Sequence, residues 1–226
     1  MTTGRHGVDG WHLGQTSERY ESGGNGPGTI NNYLKSNDFG GASYGTYQFA
    51  SFLPVAMPNG NFRQNKGISP LKQYLNNSRF KERFIGLEPA TSAFDAMWRQ
   101  VAQENYNQDR SKDAFWVDQH FYVQNKYYNT CIANVQRTGI DLTRFGCAVQ
   151  DLVWSSAVQL GPANTKVFTD PLRGKAQLSD AEIVKMVTQY KVDNVGKLFK
   201  SSSQDIRNSV VARWKKEEQD LLALTI

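Results

Sequence analysis

The sequence has 226 residues but only two cysteines and three histidines. Two cysteines are too few for a disulfide framework or for a zinc site with four cysteine ligands. The histidines, His6, His12 and His120, are widely spaced and form no HExxH motif, and the glycine-rich P-loop that binds nucleotide phosphates is absent. We therefore expect no metal ion and no other cofactor.

Long apolar runs are absent as well. No stretch approaches the ~18–20 apolar residues that a membrane-spanning helix needs, and residues 1–14 lack the apolar core of a secretory signal peptide. We expect a protein that is made in the cytoplasm without a signal peptide and does not insert into a membrane. If it acts outside the cytoplasm, another component must carry it there.

Acidic residues are fewer than basic ones, which gives a formal net charge of +5 and an isoelectric point of about 9.1. Such a charge suits three kinds of partner: nucleic acid, an anionic membrane surface, or an acidic polymer such as the bacterial cell wall. The basic residues are scattered along the chain, and neither a zinc finger nor an RNP motif is present. We therefore expect no nucleic-acid partner.

The chain has a globular composition, with 39% hydrophobic and 21% charged residues, and it is long enough to bury a core. We expect a single domain over residues 1–226 with a loose lead-in at residues 1–9. The predicted fold class is mostly α (α+β), a helical body with a small β-containing lobe near residues 25–48. The predicted helices span 10–21, 46–56, 69–76, 78–85, 90–104, 112–136, 143–160, 179–190 and 203–223, and short strands are expected at 28–33 and 42–48.

A single carboxylate stands where the first predicted helix meets a glycine-rich segment, in the run Tyr20-Glu21-Ser22-Gly23-Gly24. Glycine permits positive φ angles and lets the backbone approach a ligand closely. A second glycine-rich stretch with Tyr44 and Tyr47 follows. A general acid that cleaves a glycosidic bond must be protonated at working pH, and partial burial among aromatic rings promotes this. Glu21 is the candidate proton donor, although the residue taken alone is also typical of a solvated glutamate at a frayed helix end.

Asp38 is the candidate partner of Glu21, and it directly precedes Phe39-Gly40-Gly41. Placed across a cleft, its carboxylate would activate a water molecule, as in inverting glycosidases. An Asn-Asp pair before Phe-Gly-Gly is equally typical of a turn that the aspartate stabilises through its own backbone. Both interpretations stay open at this point. If Asp38 has only a structural role, Glu21 would act alone.

Four residues, Glu21, Ser22, Gly45 and Gln48, resemble a signature of the lysozyme-like superfamily. In its goose-type lysozymes and soluble lytic transglycosylases, a catalytic Glu-Ser precedes a Gly-x-x-Gln element that lines the saccharide cleft, and the position of Asp38 is similar to that of a carboxylate in inverting chitosanases. The segment 153–162 resembles one found in phage-type and secreted lysins. The resemblance covers residues 20–49 and 150–162 only. It implies catalytic roles for Glu21 and Asp38 and substrate-binding roles for Ser22, Tyr44, Gly45, Tyr47, Gln48, Trp154 and Gln159.

The function that this resemblance implies is a peptidoglycan hydrolase, a lysozyme-like glycosidase that cleaves the β-1,4 bonds of the cell-wall glycan, as a phage endolysin or another bacteriolytic protein does. The alternatives are a lytic transglycosylase that acts through Glu21 alone, a chitosanase-like glycosidase, and a non-catalytic glycan-binding or virion structural protein. A papain-like endopeptidase is a weaker alternative, because Cys131 or Cys147 would need a paired histidine.

The resemblance also implies where the protein acts and with what. The expected partner is the glycan strand of peptidoglycan, and the expected place of action is the periplasm or cell wall after delivery. A holin, a virion or a secretion apparatus would deliver the protein, and an inhibitor protein is a further expected class of partner.

Overall fold

The computed structural model describes residues 10–31, 41–56, 62–65 and 69–225. Asp38 therefore lies outside the described residues. Most of the described chain is helical, and its strands are short and fall between residues 30 and 65. The predicted fold class, mostly α with a small β-containing part, is confirmed. Within the described ranges, no helix is long and apolar enough to cross a membrane.

The helices of the described chain differ in length and regularity. Short 3-10 turns lie at Lys81–Phe84 and Arg110–Lys112, and a π-helical segment spans Gln124–Asn129. The α-helices are α1 (Gln15–Glu21), α2 (Pro70–Asn77), α3 (Ser92–Asn105), α4 (Ala114–Val123), α5 (Thr130–Gln136), α6 (Cys147–Leu160), α7 (Lys166–Leu172), α8 (Asp180–Asp193), α9 (Val195–Leu198) and α10 (Gln204–Leu222).

Polar caps fix where several of these helices begin. The hydroxyl of Ser69 accepts a hydrogen bond from the first turn of α2, and Pro70 follows at the first helical position. Thr91 caps α3 in the same way. Ser179 and Glu182 form a reciprocal capping box at the start of α8. These side chains bind the backbone N–H groups that a helix leaves without intrahelical partners at its start.

The strands form two small antiparallel sheets. The first contains β1 (Ile30–Asn31), β2 (Ser43–Tyr44) and β3 (Phe49–Ala50), with Tyr44 of the central strand opposite Ile30 and Phe49. The second pairs β4 (Leu53–Ala56) with β5 (Phe62–Asn65).

The predicted helix at 46–56 is wrong. Gly45 and Gln48 have φ angles of +80° and +51°, which a right-handed helix cannot contain, so the chain turns there and continues as β3 and β4.

The chain divides into two compact units, each with its own core. Unit 2, Glu18–Val123, has an aromatic core in which Trp98 contacts the rings of Tyr44, Phe94 and Phe115. Unit 1, Met1–Ser17 with Gln124–Ile226, has a core that is mainly aliphatic. Its fully buried members include Val149, Leu152, Val153, Phe168 and Val187. The expectation of a single domain over 1–226 stays a prediction.

Some helical boundaries differ from those predicted. The predicted helix 112–136 consists of α4, the π-helical segment and α5, and neither α7 nor α9 was predicted. Helix α7 contains Pro171, a residue that argues against an internal helical position in sequence-based prediction. The two cysteines, Cys131 and Cys147, are buried and form no disulfide, and burial raises the pKa of the Cys131 thiol to about 12.

Candidate functional site

Glu21 is the last residue of α1, and the chain turns directly after it. The turn is formed by Ser22 and two exposed glycines, Gly23 and Gly24, with φ angles of +63° and +79°. The amide of Asn25 donates a hydrogen bond to the carbonyl of Ser22 across the turn at 3.2 Å. Glu21 itself is half-buried. Its carboxylate is therefore carried by the end of a short helix that leads directly into a glycine turn.

Glu18, one helical turn before Glu21, has a different environment. Its side chain is buried, and its two carboxylate oxygens accept separate hydrogen bonds. The Tyr47 hydroxyl donates to Oε1 at 2.9 Å, and Nη1 of Arg110 donates to Oε2 at 2.5 Å. A buried carboxylate needs a compensating charge and hydrogen-bond donors, and Arg110 and Tyr47 supply both. Glu18 is thus a fixed structural anion next to the half-buried Glu21.

Tyr47 connects Glu18 to a histidine. Its hydroxyl oxygen lies 2.7 Å from Nδ1 of His120 on α4. The hydroxyl has one hydrogen, which the Glu18 carboxylate accepts, so Nδ1 of His120 is the donor in this second contact. The imidazole stacks on the Trp116 ring with centroids 4.6 Å apart. A polar chain therefore runs from Arg110 through Glu18 and Tyr47 to His120, all within unit 2.

Tyr44 lies in the core of unit 2. It has no exposed surface, and its hydroxyl donates to Asp95 at 2.6 Å and accepts from the Ala90 amide at 2.9 Å. Burial raises the pKa of Tyr44 far above its usual range, and the neighbouring Asp95 carboxylate adds to this. Tyr44 thus joins β2 to α3, and its predicted contact with a saccharide stays a prediction.

Gly45 and Gln48 shape the turn between β2 and β3. The side-chain amide of Gln48 donates to the Gly45 carbonyl at 2.7 Å and accepts from the side chain of Asn31. A Cβ at Gly45 would lie 2.9 Å from Cδ of Gln119 and nearer still to its Oε1. Glycine is required here for both the φ angle and the close approach. The polar atoms of Gln48 are bonded within the turn, and its substrate-binding role, like that of Ser22 and Tyr47, stays a prediction.

Trp154 and Gln159 belong to unit 1, on α6. Trp154 has no exposed surface, and the indole of Trp214 donates to Gln159 at 2.6 Å. On the same helix the buried carboxylate of Asp151 accepts hydrogen bonds from the Gly14 and Thr16 amides at 2.8 and 3.0 Å and from the Thr16 hydroxyl at 2.7 Å. Burial raises the pKa of Asp151 to about 6 despite these bonds.

Several residues of the site were not predicted from the sequence. Glu18 shares a face of α1 with Glu21, which is a detectable signal, but Arg110 lies in a polar 3-10 turn far along the chain and carries no local signal. The segment Gly41–Gly45 also matches the GxSxG pattern. Its Ser43 lies in strand β2 between β1 and β3, however, and not in the strand-to-helix turn that this motif requires.

The two carboxylates of α1 therefore differ: Glu18 is buried in an ion pair with Arg110, whereas Glu21 is half-buried at the helix end. Within the described ranges, no group of three or more histidine, cysteine, aspartate or glutamate side chains could hold a metal ion.

Comparisons with known proteins place the sequence near a component of a secretion system. Residues 13–218 match a family model described as the C-terminal part of type VI secretion system spike proteins of the VgrG3-like kind. The type VI secretion system spike protein VgrG3 of Vibrio cholerae serotype O1 (strain ATCC 39315 / El Tor Inaba N16961) is 35% identical over 221 residues. The alignment covers 96% of the chain and 19% of the relative, so the chain spans about a fifth of the length of the curated protein it matches.

These matches correct the interpretation drawn from the motifs. The assignment to the lysozyme-like superfamily is wrong, because the model that matches residues 13–218 is that of the secretion spike family. Two further predictions rested on that assignment and are corrected with it. They are the function of a peptidoglycan hydrolase with Glu21 as its general acid and the expected place among phage endolysins. The physical reason is that Gly45 and Gln48 are used by the turn itself, so a Gly-x-x-Gln element reflects local backbone geometry and does not identify a lineage.

Proposed function

Because the chain belongs to the VgrG3-like C-terminal family of type VI secretion system spike proteins, we propose that it is a spike module that a type VI secretion apparatus delivers to the cell envelope. The observation that carries this proposal is the family match over residues 13–218. Membership of the family is consistent with a secretion apparatus as partner. The chain corresponds to only 19% of the Vibrio cholerae relative, so the activity and partners of that whole protein are not transferred to it.

Delivery predicts that the protein leaves its producing cell only when the secretion apparatus is present. A tagged spike that carries the chain is expressed in cells with an intact apparatus and in otherwise identical cells without one. We expect the tagged protein in the medium of the first culture and only in the cell pellet of the second, with a cytoplasmic enzyme as the marker of lysis. Equal release from both cultures would contradict delivery by this route.

We propose that the partner after delivery is the glycan strand of peptidoglycan, and that the chain acts in the periplasm or cell wall. Two features support this. The net charge of +5 favours approach to an anionic wall polymer, and the turn after Glu21 presents exposed backbone at Gly23 and Gly24 to a ligand. Binding to purified cell-wall sacculi is the measurable consequence.

A second candidate function is glycosidase activity, and the contrast between two carboxylates on α1 favours it. Glu18 is buried in an ion pair with Arg110, whereas Glu21 is half-buried at the helix end. A group that transfers a proton to or from a substrate must reach it, so Glu21 is the candidate catalytic group of the pair. The neighbouring turn and the polar chain through Tyr47 would hold that group in place.

The glycosidase proposal is tested with Glu21→Gln, which keeps the shape of the side chain and removes its acid–base function. New reducing ends are measured after incubation with a panel of soluble polysaccharides. We expect the variant to release none from the polysaccharide that the native protein cleaves. Glu88→Gln is the matched control, because the Glu88 side chain is largely exposed and belongs to a loop between α2 and α3. Equal activity of Glu21→Gln and the native protein would exclude the proposed role.

A further inference from the structure

We infer that Arg110 is a positioning residue whose guanidinium fixes the turn that carries Glu21. The inference rests on the proposed glycosidase function, in which Glu21 contacts the substrate. One guanidinium donates to two groups that flank Glu21 in the sequence: Nη1 to the Glu18 carboxylate at 2.5 Å and Nη2 to the Gly24 carbonyl at 3.0 Å. Arg110 therefore fastens the segment three residues before Glu21 and three residues after it.

The turn needs such an external bond because its own sequence is permissive. Gly23 and Gly24 are exposed and lie in the left-handed region, where glycine has no steric preference to hold it. Within the turn, the backbone bonds are those of Ser22 to Glu18 and of Asn25 to Ser22, both 3.2 Å long. The bond from Arg110 to Gly24 ties this turn to the 3-10 segment before α4.

Neighbouring residues hold both the backbone and the guanidinium of Arg110. Its backbone begins the 3-10 turn that Asp109 caps through the Ser111 amide at 3.1 Å. Its guanidinium is anchored on Glu18, which Tyr47 also binds. Lysine cannot reproduce this arrangement, because an ammonium is a compact point charge, whereas the planar guanidinium presents donors in a fixed fork that reaches two acceptors at once.

The test compares Arg110→Lys with Arg83→Lys. Arg83 forms an exposed pair with Glu104, with an Nη1–Oε2 distance of 2.7 Å, so the same substitution is made in an arginine–glutamate pair away from the turn. We expect Arg110→Lys to lower kcat on soluble glycan fragments by about tenfold or more, with KM within about twofold, because small misplacements of a reacting group reduce rate more than binding. Arg83→Lys should leave both constants unchanged.

Hydrogen exchange supplies a readout that does not depend on activity. The Asn25 amide, which donates across the turn, should exchange at least about tenfold faster in Arg110→Lys than in Arg83→Lys, because the turn opens more often. The double variant Glu18→Gln with Arg110→Gln, which leaves no buried charge of this pair without its partner, serves as a second variant if Arg110→Lys folds poorly.

The outcomes separate the inference from the function on which it rests. If the native protein releases no products, the glycosidase proposal fails and the Asn25 exchange rate alone decides whether Arg110 holds the turn. If the native protein is active and both lysine variants match it in kcat and in exchange, the positioning role of Arg110 is overturned.

Discussion

Replacing Gly45 with alanine should destabilise unit 2 by more than its φ angle alone explains. An alanine at φ +80° costs about 1–2 kcal/mol relative to glycine. The new Cβ would also displace the buried amide of Gln119, which accepts from the Thr46 amide at 3.0 Å and donates to the Pro27 carbonyl at 3.1 Å. A buried polar group left without its partner costs about 1–3 kcal/mol. The expected loss is about 2–5 kcal/mol in the free energy of unfolding.

Gly86→Ala separates the cost of the positive φ angle from the cost of displacing Gln119. Gly86 has a φ angle of +77°, almost that of Gly45, but a Cβ there would meet nothing within 4 Å. Urea unfolding followed by circular dichroism gives the free energy of unfolding for both variants. We expect Gly86→Ala to lose only about 1–2 kcal/mol, so the variants should differ by about 1–3 kcal/mol, the cost of displacing Gln119. Equal losses would refute the reasoning that the close approach to Gln119 requires glycine.

Three further substitutions test other parts of the structure. The folded-state pKa of Asp151, about 6, lies above its ordinary value of 3.8, so its protonated form is favoured by folding and its stabilising contribution disappears as pH rises through 6. Relative to Asp151→Asn, the native protein should therefore lose about 2 kcal/mol in the free energy of unfolding between pH 4 and pH 7. Tyr44→Phe should lower the free energy of unfolding by about 1–3 kcal/mol, because it removes a buried hydroxyl with two partners. The control is Tyr106→Phe, at a side chain that is 72% exposed, which should change the free energy of unfolding by no more than about 0.5 kcal/mol. Lys191→Met should lower the free energy of unfolding, because it removes a buried ammonium that is attracted to the buried carboxylate of Glu217, and the double substitution with Glu217→Leu should recover most of that loss.

Each of these three predictions has an outcome that would contradict it. A stability difference between the native protein and Asp151→Asn that does not change with pH would contradict the effect of burial on that carboxyl group. Equal stability of Tyr44→Phe and Tyr106→Phe would mean that the Tyr44 hydroxyl contributes nothing net. If the double substitution is no more stable than Lys191→Met, then Lys191 and Glu217 do not interact.

The sequence predicts well those helices whose apolar period coincides with a capping signal. The predicted helices 90–104 and 203–223 correspond to α3, Ser92–Asn105, and α10, Gln204–Leu222. In both, a hydroxyl at Thr91 or Ser203 accepts from an amide of the first turn, which is a local interaction visible in sequence. The predicted helix at 46–56 fails because positive φ angles at Gly45 and Gln48 are fixed by contacts with Gln119 and Asn31, which are distant in sequence.

The candidate site also combines features that local sequence predicts with features that depend on the tertiary fold. The position of Glu21 at a helix end before two glycines follows from local sequence, and the structure has it there. The partners of Glu18 do not follow from local sequence, because Tyr47 and Arg110 reach it from segments that only the tertiary fold brings together. The family prediction was wrong because it used residues from only two segments, 20–49 and 150–162, whereas the family match extends over residues 13–218.

The proposed binding of the chain to the cell-wall glycan is tested most directly by sedimentation of the purified chain with purified peptidoglycan sacculi across a range of salt concentrations. If the chain recognises the glycan strand, it should pellet with the sacculi at physiological salt and stay bound at several-fold higher salt, at which attraction between exposed charges is largely screened. It should remain in solution with beads of an uncharged dextran. Recovery of the chain in the supernatant at physiological salt, or complete release by moderate salt, would contradict the proposal that it binds the cell-wall glycan.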